Sequence, residues 1–318
     1  MVKEQILYER FMESLRRKVS SKTLMVKMLT DILMIEKDAV YRRIRGEVNF
    51  TFSEIAIIAN QLGISLDSIV GTASPTYRPS HLKVNRHGNP TDADYRSLSD
   101  FNERIKTISE RPEAEIAEIC NILPQLFYAD MEAITRFSLF IWELTINEEG
   151  KHFQEITVPE RTRKLYQELF HNMRCVTSKF VWDSMIFQYM VNEIKYNLSI
   201  HRMEPEDVLL LKEELHRLLD YTERICLNGK FDEGGIAYLF ISDVSIYNNY
   251  MYVACDDYYF SMVKVFILDS IISYDRKFFE QTKICINAVK QVSTLISISG
   301  GRSRTLFFDK QRKIVDSL

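Results

Sequence analysis

Lys37, Asp38, Tyr41, Arg42 and Arg45 have the spacing that puts side chains on one face of a helix. Cations, an amphipathic phenol and a carboxylate in that arrangement can neutralise phosphates and hydrogen-bond to the edges of bases; on such a duplex Lys37 and Arg42 would carry much of the affinity, with Asp38 and Tyr41 set toward base edges and Arg45 nearer the backbone. Arg43 adds to the local positive charge. Other chemistry-bearing residues are dispersed. Asp256 and Asp257 could hold a hard metal, but between two aromatic stretches they read better as a hairpin turn. The six histidines form no helical pair at metal-ligand spacing. Gly300-Gly301-Arg302 resembles a phosphate nest less than it resembles a helix stop. No Walker-type loop, dinucleotide fingerprint or serine elbow occurs, so the expectation is no catalytic residues, no metal and no cofactor, and a protein that is not an enzyme.

The five residues need a helix to hold them, and the pattern from Leu29 to Ile69 supplies several. Leu29, Ile32 and Leu33 share one helical face, as do Ala39, Val40 and Ile44 beyond a short turn. Gly46 follows where a helix end favours the left-handed conformation. A third apolar stripe runs through Phe52, Ile55, Ile58, Ala59 and Leu62 to Gly63, and Ser65 can cap a last short helix. Upstream, Ile6, Leu7, Phe11, Leu15 and Val19 define a first helix, with Ser20-Ser21 as the break before a helix over 22–33.

This stretch resembles the lambda-repressor-like, or Xre-type, helix-turn-helix family. The agreement runs without a gap through Leu29, Leu33, Ile35, Val40, Arg42, Arg45-Gly46 and Leu62-Gly63-Ile64-Ser65-Leu66-Asp67. It departs at Met34, where the family has glycine, at Glu36, where a serine cap is usual, and at Val26, which often is a phosphate-binding glutamine. The resemblance implies a five-helix DNA-binding domain over residues 1–71, with the helix from Lys37 to Ile44 entering the major groove.

The whole chain has 318 residues and a net charge of −3. Residues 1–71 hold 11 Lys and Arg against 9 Asp and Glu, whereas the remainder holds 30 against 35. A locally basic face on an acidic protein is enough for phosphate contact while limiting indiscriminate binding. No apolar run is long enough to span a membrane and no signal sequence opens the chain, so a cytoplasmic location is expected. The five cysteines are scattered among apolar neighbours and read as buried free thiols.

Beyond Gly71 the stretch 72–95 reads as a linker rich in Pro, Gly and small polar residues. Residues 96–318 read as a helical regulatory and dimerisation domain: helices near 98–108, 116–124, 131–144, from Arg161, over Phe180 to Ser199 and from Pro205 to Asn228. Between 236 and 272, Tyr, Phe, Val and Ile dominate and an antiparallel β meander is expected. A long helix from Arg276 to Ser299 follows. The fold class expected is thus mainly α with a small antiparallel meander.

These features point to a sequence-specific transcriptional regulator. Its expected partners are double-stranded DNA, a second copy of the chain, and a small-molecule or peptide effector. The aromatic cluster around Tyr247 to Phe260 suits a pocket less well than it suits core and dimer interface. The competing reading is an enzyme or protein-interaction module carrying an accessory helix-turn-helix domain.

Overall fold

The computed structural model describes residues 2–19, 21–62, 64, 66, 69, 81–83, 87, 89–146, 150–256, 258–265 and 267–318. The chain divides into two compact units, Met1–Ser80 and His81–Leu318.

Unit 1 contains α1 (Val2–Lys18), α2 (Lys22–Leu33), α3 (Lys37–Ile44) and α4 (Phe52–Leu62). Ser21 caps α2, its hydroxyl accepting from the Leu24 amide. Phe11, Leu15, Met25, Val26, Leu29, Val40, Phe50 and Ile58 form its own buried core, to which Ile64 and Ile69 contribute. The fifth helix expected after Ser65 falls largely outside the described residues. Tyr8 reaches from α1 to accept a hydrogen bond from the Phe50 amide at 3.1 Å. Two residues assigned inward from periodicity face out instead: Phe52 is 79% exposed and Ile6 43%. Both lie in the first turn or two of a helix, where less of the domain is available to cover them.

Unit 2 corrects the expected fold class. It is an α/β unit built on an eight-stranded mixed sheet of order β1-β7-β6-β5-β2-β3-β4-β8, not a helical domain with a small meander. The elements are β1 (His81–Lys83), α5 (Asp92–Ser109), β2 (Glu115–Cys120), α6 (Gln125–Tyr128), α7 (Glu132–Ile146), α8 (Glu160–Arg174), β3 (Thr177–Asp183), α9 (Ile186–Ser199), α10 (Pro205–Asn228), β4 (Ala237–Ser242), β5 (Tyr250–Cys255), β6 (Tyr258–Lys264), β7 (Ser270–Ser273), α11 (Arg276–Gln291), β8 (Ser293–Leu295) and α12 (Gly301–Asp316). Strands β2, β3 and β4 are parallel and central; β5, β6, β7 and β1 continue antiparallel on one side, and β8 closes the other.

The physical reason for the correction lies in β2 and β3. A central strand covered on both faces has no polar face, so the period of two disappears. In β2 the spacing of Ile116 and Ile119 then imitates a helix, yet Ile116 joins the larger core with Phe180 and Trp182, while Ile119 joins Val181, Tyr252 and Phe279 on the opposite face. Likewise Phe180–Asp183 belong to β3, and the helix expected from Phe180 begins only at Ile186.

The C-terminal region differs for a related reason. The helix read from Arg276 to Ser299 stops at Gln291, because Ser293–Leu295 pair antiparallel with β4. Gly300, with φ of 71°, then opens a 16-residue helix, α12, rather than ending one. Of the stretch read as a linker, His81–Lys83 pair with Ser270–Ile272, and Thr91 caps α5 through a capping box with Asp94. Asp256, with φ of 48°, occupies the turn between β5 and β6.

Candidate nucleic-acid interface

In unit 1, α2 and α3 are joined by Met34, Ile35 and Glu36. Met34 takes the left-handed conformation, φ 51° and ψ 42°, with its side chain 92% exposed. This turn geometry ordinarily favours glycine, which explains why the position is unusual for a methionine. Ile35 and Ile44 pack against the core on which Val40 closes, so α3 is pinned along one side only.

The other side carries the predicted residues. Lys37, Asp38, Tyr41, Arg42 and Arg45 are all exposed. Asp38 lies in the first turn of α3, where the helix dipole favours an acid, and Arg42 lies in the last, where it favours a cation. Glu47 stands between two of the cations: its carboxylate is 2.7 Å from Arg45 Nε and 3.8 Å from Arg42 Nε.

Arg43 has a different role from its neighbours. Its guanidinium donates to Glu54 through Nη2 at 2.7 Å and Nε at 3.2 Å, and through Nη1 to the Ala39 carbonyl at 3.2 Å. Glu54 in turn accepts from the Thr51 amide at 2.8 Å, while its own amide donates to the Thr51 hydroxyl at 3.2 Å, a capping box at the start of α4. Burial alone would push the Glu54 carboxyl up, but Arg43 and Thr51 together hold it below its ordinary value. Arg43 therefore locks α3 to α4 and leaves the exposed face to the other cations. Val26, at the position of the family's glutamine, is 4% exposed and belongs to the core. The Thr-x-x-Glu pattern at Thr51 marks Glu54 as the third residue of a capping box, but no spacing rule pairs that acid with Arg43.

Unit 2 gathers polar groups that spacing did not reveal. His87, 5% exposed, lies 3.0 Å through Nε2 from Asp269, which is completely buried and also accepts from Trp142 Nε1 at 2.9 Å. Tyr166 lies 3.3 Å from His87 Nδ1. A carboxylate can only accept, so Nε2 carries a proton and donates to Asp269, while Nδ1 lies within hydrogen-bond reach of the phenol. With both ring nitrogens engaged, this His anchors the segment entering unit 2 and has no free nitrogen for base catalysis.

Glu118, on the face of β2 that also carries Ile116 and Cys120, is buried with no ion pair within 4.0 Å among the described residues; burial pushes its carboxyl up to about 7, outweighing the pull of Lys264. Glu113, Cys255 and Asp256 approach one another at the β5–β6 turn, but two of the three are exposed acids and Cys255 is already engaged with Glu113 at 3.6 Å. Of the cysteines, Cys120, Cys226 and Cys255 are buried, whereas Cys285 is exposed and Cys175 half-buried, contrary to the expectation for all five. Cys285 faces out because it lies on α11, whose buried residues are Phe279, Thr282 and Ile286.

Comparison with protein-family models, with curated proteins and with solved structures gave no match. No helix among the described residues is long and apolar enough to cross a membrane.

Proposed function

We propose that this protein is a sequence-specific regulator that binds double-stranded DNA through α3, in the manner of the lambda-repressor-like helix-turn-helix proteins that its N-terminal sequence resembles. The single observation that carries the reading is the sorting of α3. Lys37, Asp38, Tyr41, Arg42 and Arg45 face solvent, while Val40 and Arg43 secure the helix from behind. A helix of eight residues held along one side suits insertion into the major groove, which is about 12 Å wide.

Unit 2 has the place of a dimerisation and sensing module in this reading. One helix-turn-helix unit covers a small DNA surface, and two recognition helices roughly 34 Å apart on one face of the duplex bind far more tightly than one. In this reading the subunit contact is assigned to unit 2, while unit 1 keeps Phe11, Leu15, Leu29, Val40 and Ile58 in its own core and leaves Phe52 and Ile57 exposed.

The test is selection of bound sequences from random duplex DNA by the full chain, followed by salt titration on the best site. Enrichment of a symmetric motif and a fall in affinity with salt support the proposal. Binding that is absent at low salt, or that shows no sequence preference, refutes it.

A further inference from the structure

The two faces of the sheet in unit 2 are covered unequally. Helices α5 to α10 and α12 contribute to the larger core on one face, whereas among the described residues α11 is the only helix in the smaller core on the other. Phe279, Thr282 and Ile286 are the buried side of α11, and Val289 packs with them. Its outer surface is not that of a solvated helix. Phe278, Gln281, Ile284, Cys285, Ala288 and Val292 are all exposed, Ile284 at 61% and Val292 at 58%, and none is charged. Their steps of three and four residues draw one stripe from the first turn of the helix to the residue that caps its end.

The apolar surface continues past the helix. Lys283 lies 5.8 Å from the centre of the Tyr252 ring, whose hydroxyl donates to Glu115 at the start of β2, so this flank of α11 turns toward the amino ends of the parallel strands. Cys285 is two residues on, about 200° around the helix, and its flank turns toward the carboxyl ends. There the Ile246 amide donates to Asp183 at the end of β3 and its side chain joins the core beneath α11, between the exposed Val244 and Tyr247, the latter 87% exposed. A 16-residue helix is about 24 Å long, too little by itself for the ~800 Å² per partner of a stable interface, and a tyrosine adds roughly 150–250 Å² when buried.

The occupant that fits is the same stripe on a second copy of the chain, run antiparallel. A two-fold axis buries most of a stripe when the stripe's midpoint lies on the axis, and the midpoint of Phe278 to Val292 is Cys285. Phe278 then meets the partner's Val292, and Gln281 meets the partner's Ala288. In each of these layers a larger side chain faces a smaller one, and the small Cys285 and Ala288 leave room for the helices to approach closely near the axis. Charge selects the orientation. A parallel pair would set the exposed Lys277 beside the partner's Lys277, whereas the antiparallel pair holds the two about 24 Å apart, well beyond the ~8 Å range of interaction in physiological salt. We propose that the outer stripe of α11, with Val244 and Tyr247 beside it, is the isologous interface of a homodimer of this chain. Its use in presenting two recognition helices rests on the DNA-binding reading; the pairing itself does not.

The experiment uses the full chain at micromolar concentration. Sedimentation velocity should give twice the chain mass of 37.4 kDa. Ile284→Lys, a change at an exposed position, should raise the dimer dissociation constant roughly tenfold or more with the circular dichroism unchanged. Leu209→Lys, at a comparably exposed leucine on α10, should leave the dimer as it is. Diamide, which takes one hydrogen from each of two thiols, should join the two copies through a disulfide across the axis. Cys285→Ser should abolish that link and Cys175→Ser should keep it. A monomeric parent overturns the interface, as does a dimer that resists Ile284→Lys or is split by Leu209→Lys. A dimer that Ile284→Lys splits but that forms no Cys285 link overturns the antiparallel register. The expected dimer in a chain that ignores DNA at low salt keeps the interface and removes the DNA-binding reading instead.

Discussion

Replacing Met34 by glycine isolates one physical effect in the turn before α3. Met34 holds φ 51° with a side chain that is 92% exposed, so removing the side chain sacrifices almost no packing. An L-residue in the left-handed region costs about 1–2 kcal/mol, which glycine avoids. Glycine also frees the unfolded chain, an opposing cost of roughly 0.5–1 kcal/mol. Taking the middle of each range, the balance is a stabilisation of about 0.75 kcal/mol, which for a domain of this size raises the melting temperature by roughly 3–6 °C. The assay is far-ultraviolet circular dichroism of residues 1–80, which enclose their own buried core and should melt cooperatively. Met34→Ala is the control, because alanine keeps the backbone penalty and should stay within about 0.5 kcal/mol of the parent. A Met34→Gly fragment no more stable than the parent, or an alanine variant equally stabilised, would refute the reasoning.

Arg42→Ala should weaken binding to the best site by more than tenfold and flatten its salt dependence, whereas Glu47→Gln should strengthen binding about two- to fivefold by freeing Arg42 and Arg45 from a surface ion pair of modest strength; both are read by fluorescence anisotropy. Because the folded Glu54 carboxyl lies below its unfolded value, its stabilisation is present above the unfolded value and is lost as pH falls through the folded one, and Arg43→Met should remove this acid-side dependence from urea melts of residues 1–80. Glu118 has the opposite sign: its folded carboxyl binds more protons than the unfolded one, so unit 2 loses stability as pH rises from about 4.5 to about 7, and Glu118→Gln should raise the melting temperature at pH 8 but not at pH 4. Gly235→Ala should destabilise unit 2 by several kcal/mol, of order the larger core defects, since the added Cβ would lie 2.2 Å from the Arg174 carbonyl oxygen; calorimetry of the full chain checks this. Residues 81–318 should sediment as a dimer at micromolar concentration, and a monomer there, with a monomeric full chain on a non-palindromic site, removes the dimer from the proposal.

The sequence by itself determined what depends on neighbours a few residues away. The helices of unit 1 follow from apolar spacing, and α10 from Pro205 with acids in its first turn and Gly229 at its end. The aromatic stretches of β4, β5 and β6 follow from residue type. The exposure of Lys37, Asp38, Tyr41, Arg42 and Arg45 follows from the helical period once Val40 is known to be inside.

Tertiary structure alone decided the rest, because the deciding partners are remote or because burial erased the local signal. Ile116 and Ile119 reveal a strand only when both faces of the sheet are seen to be covered. Gly300 serves a helix start rather than a stop because Leu295 behind it is paired with Phe240 in β4. Arg43 differs from Arg42 only in what lies opposite, the half-buried Glu54 at 2.7 Å for one, and solvent with the exposed Glu47 at 3.8 Å for the other. His87 meets Asp269 across 182 residues, a distance over which no spacing rule operates and only the closing of β1 onto β7 brings the two together.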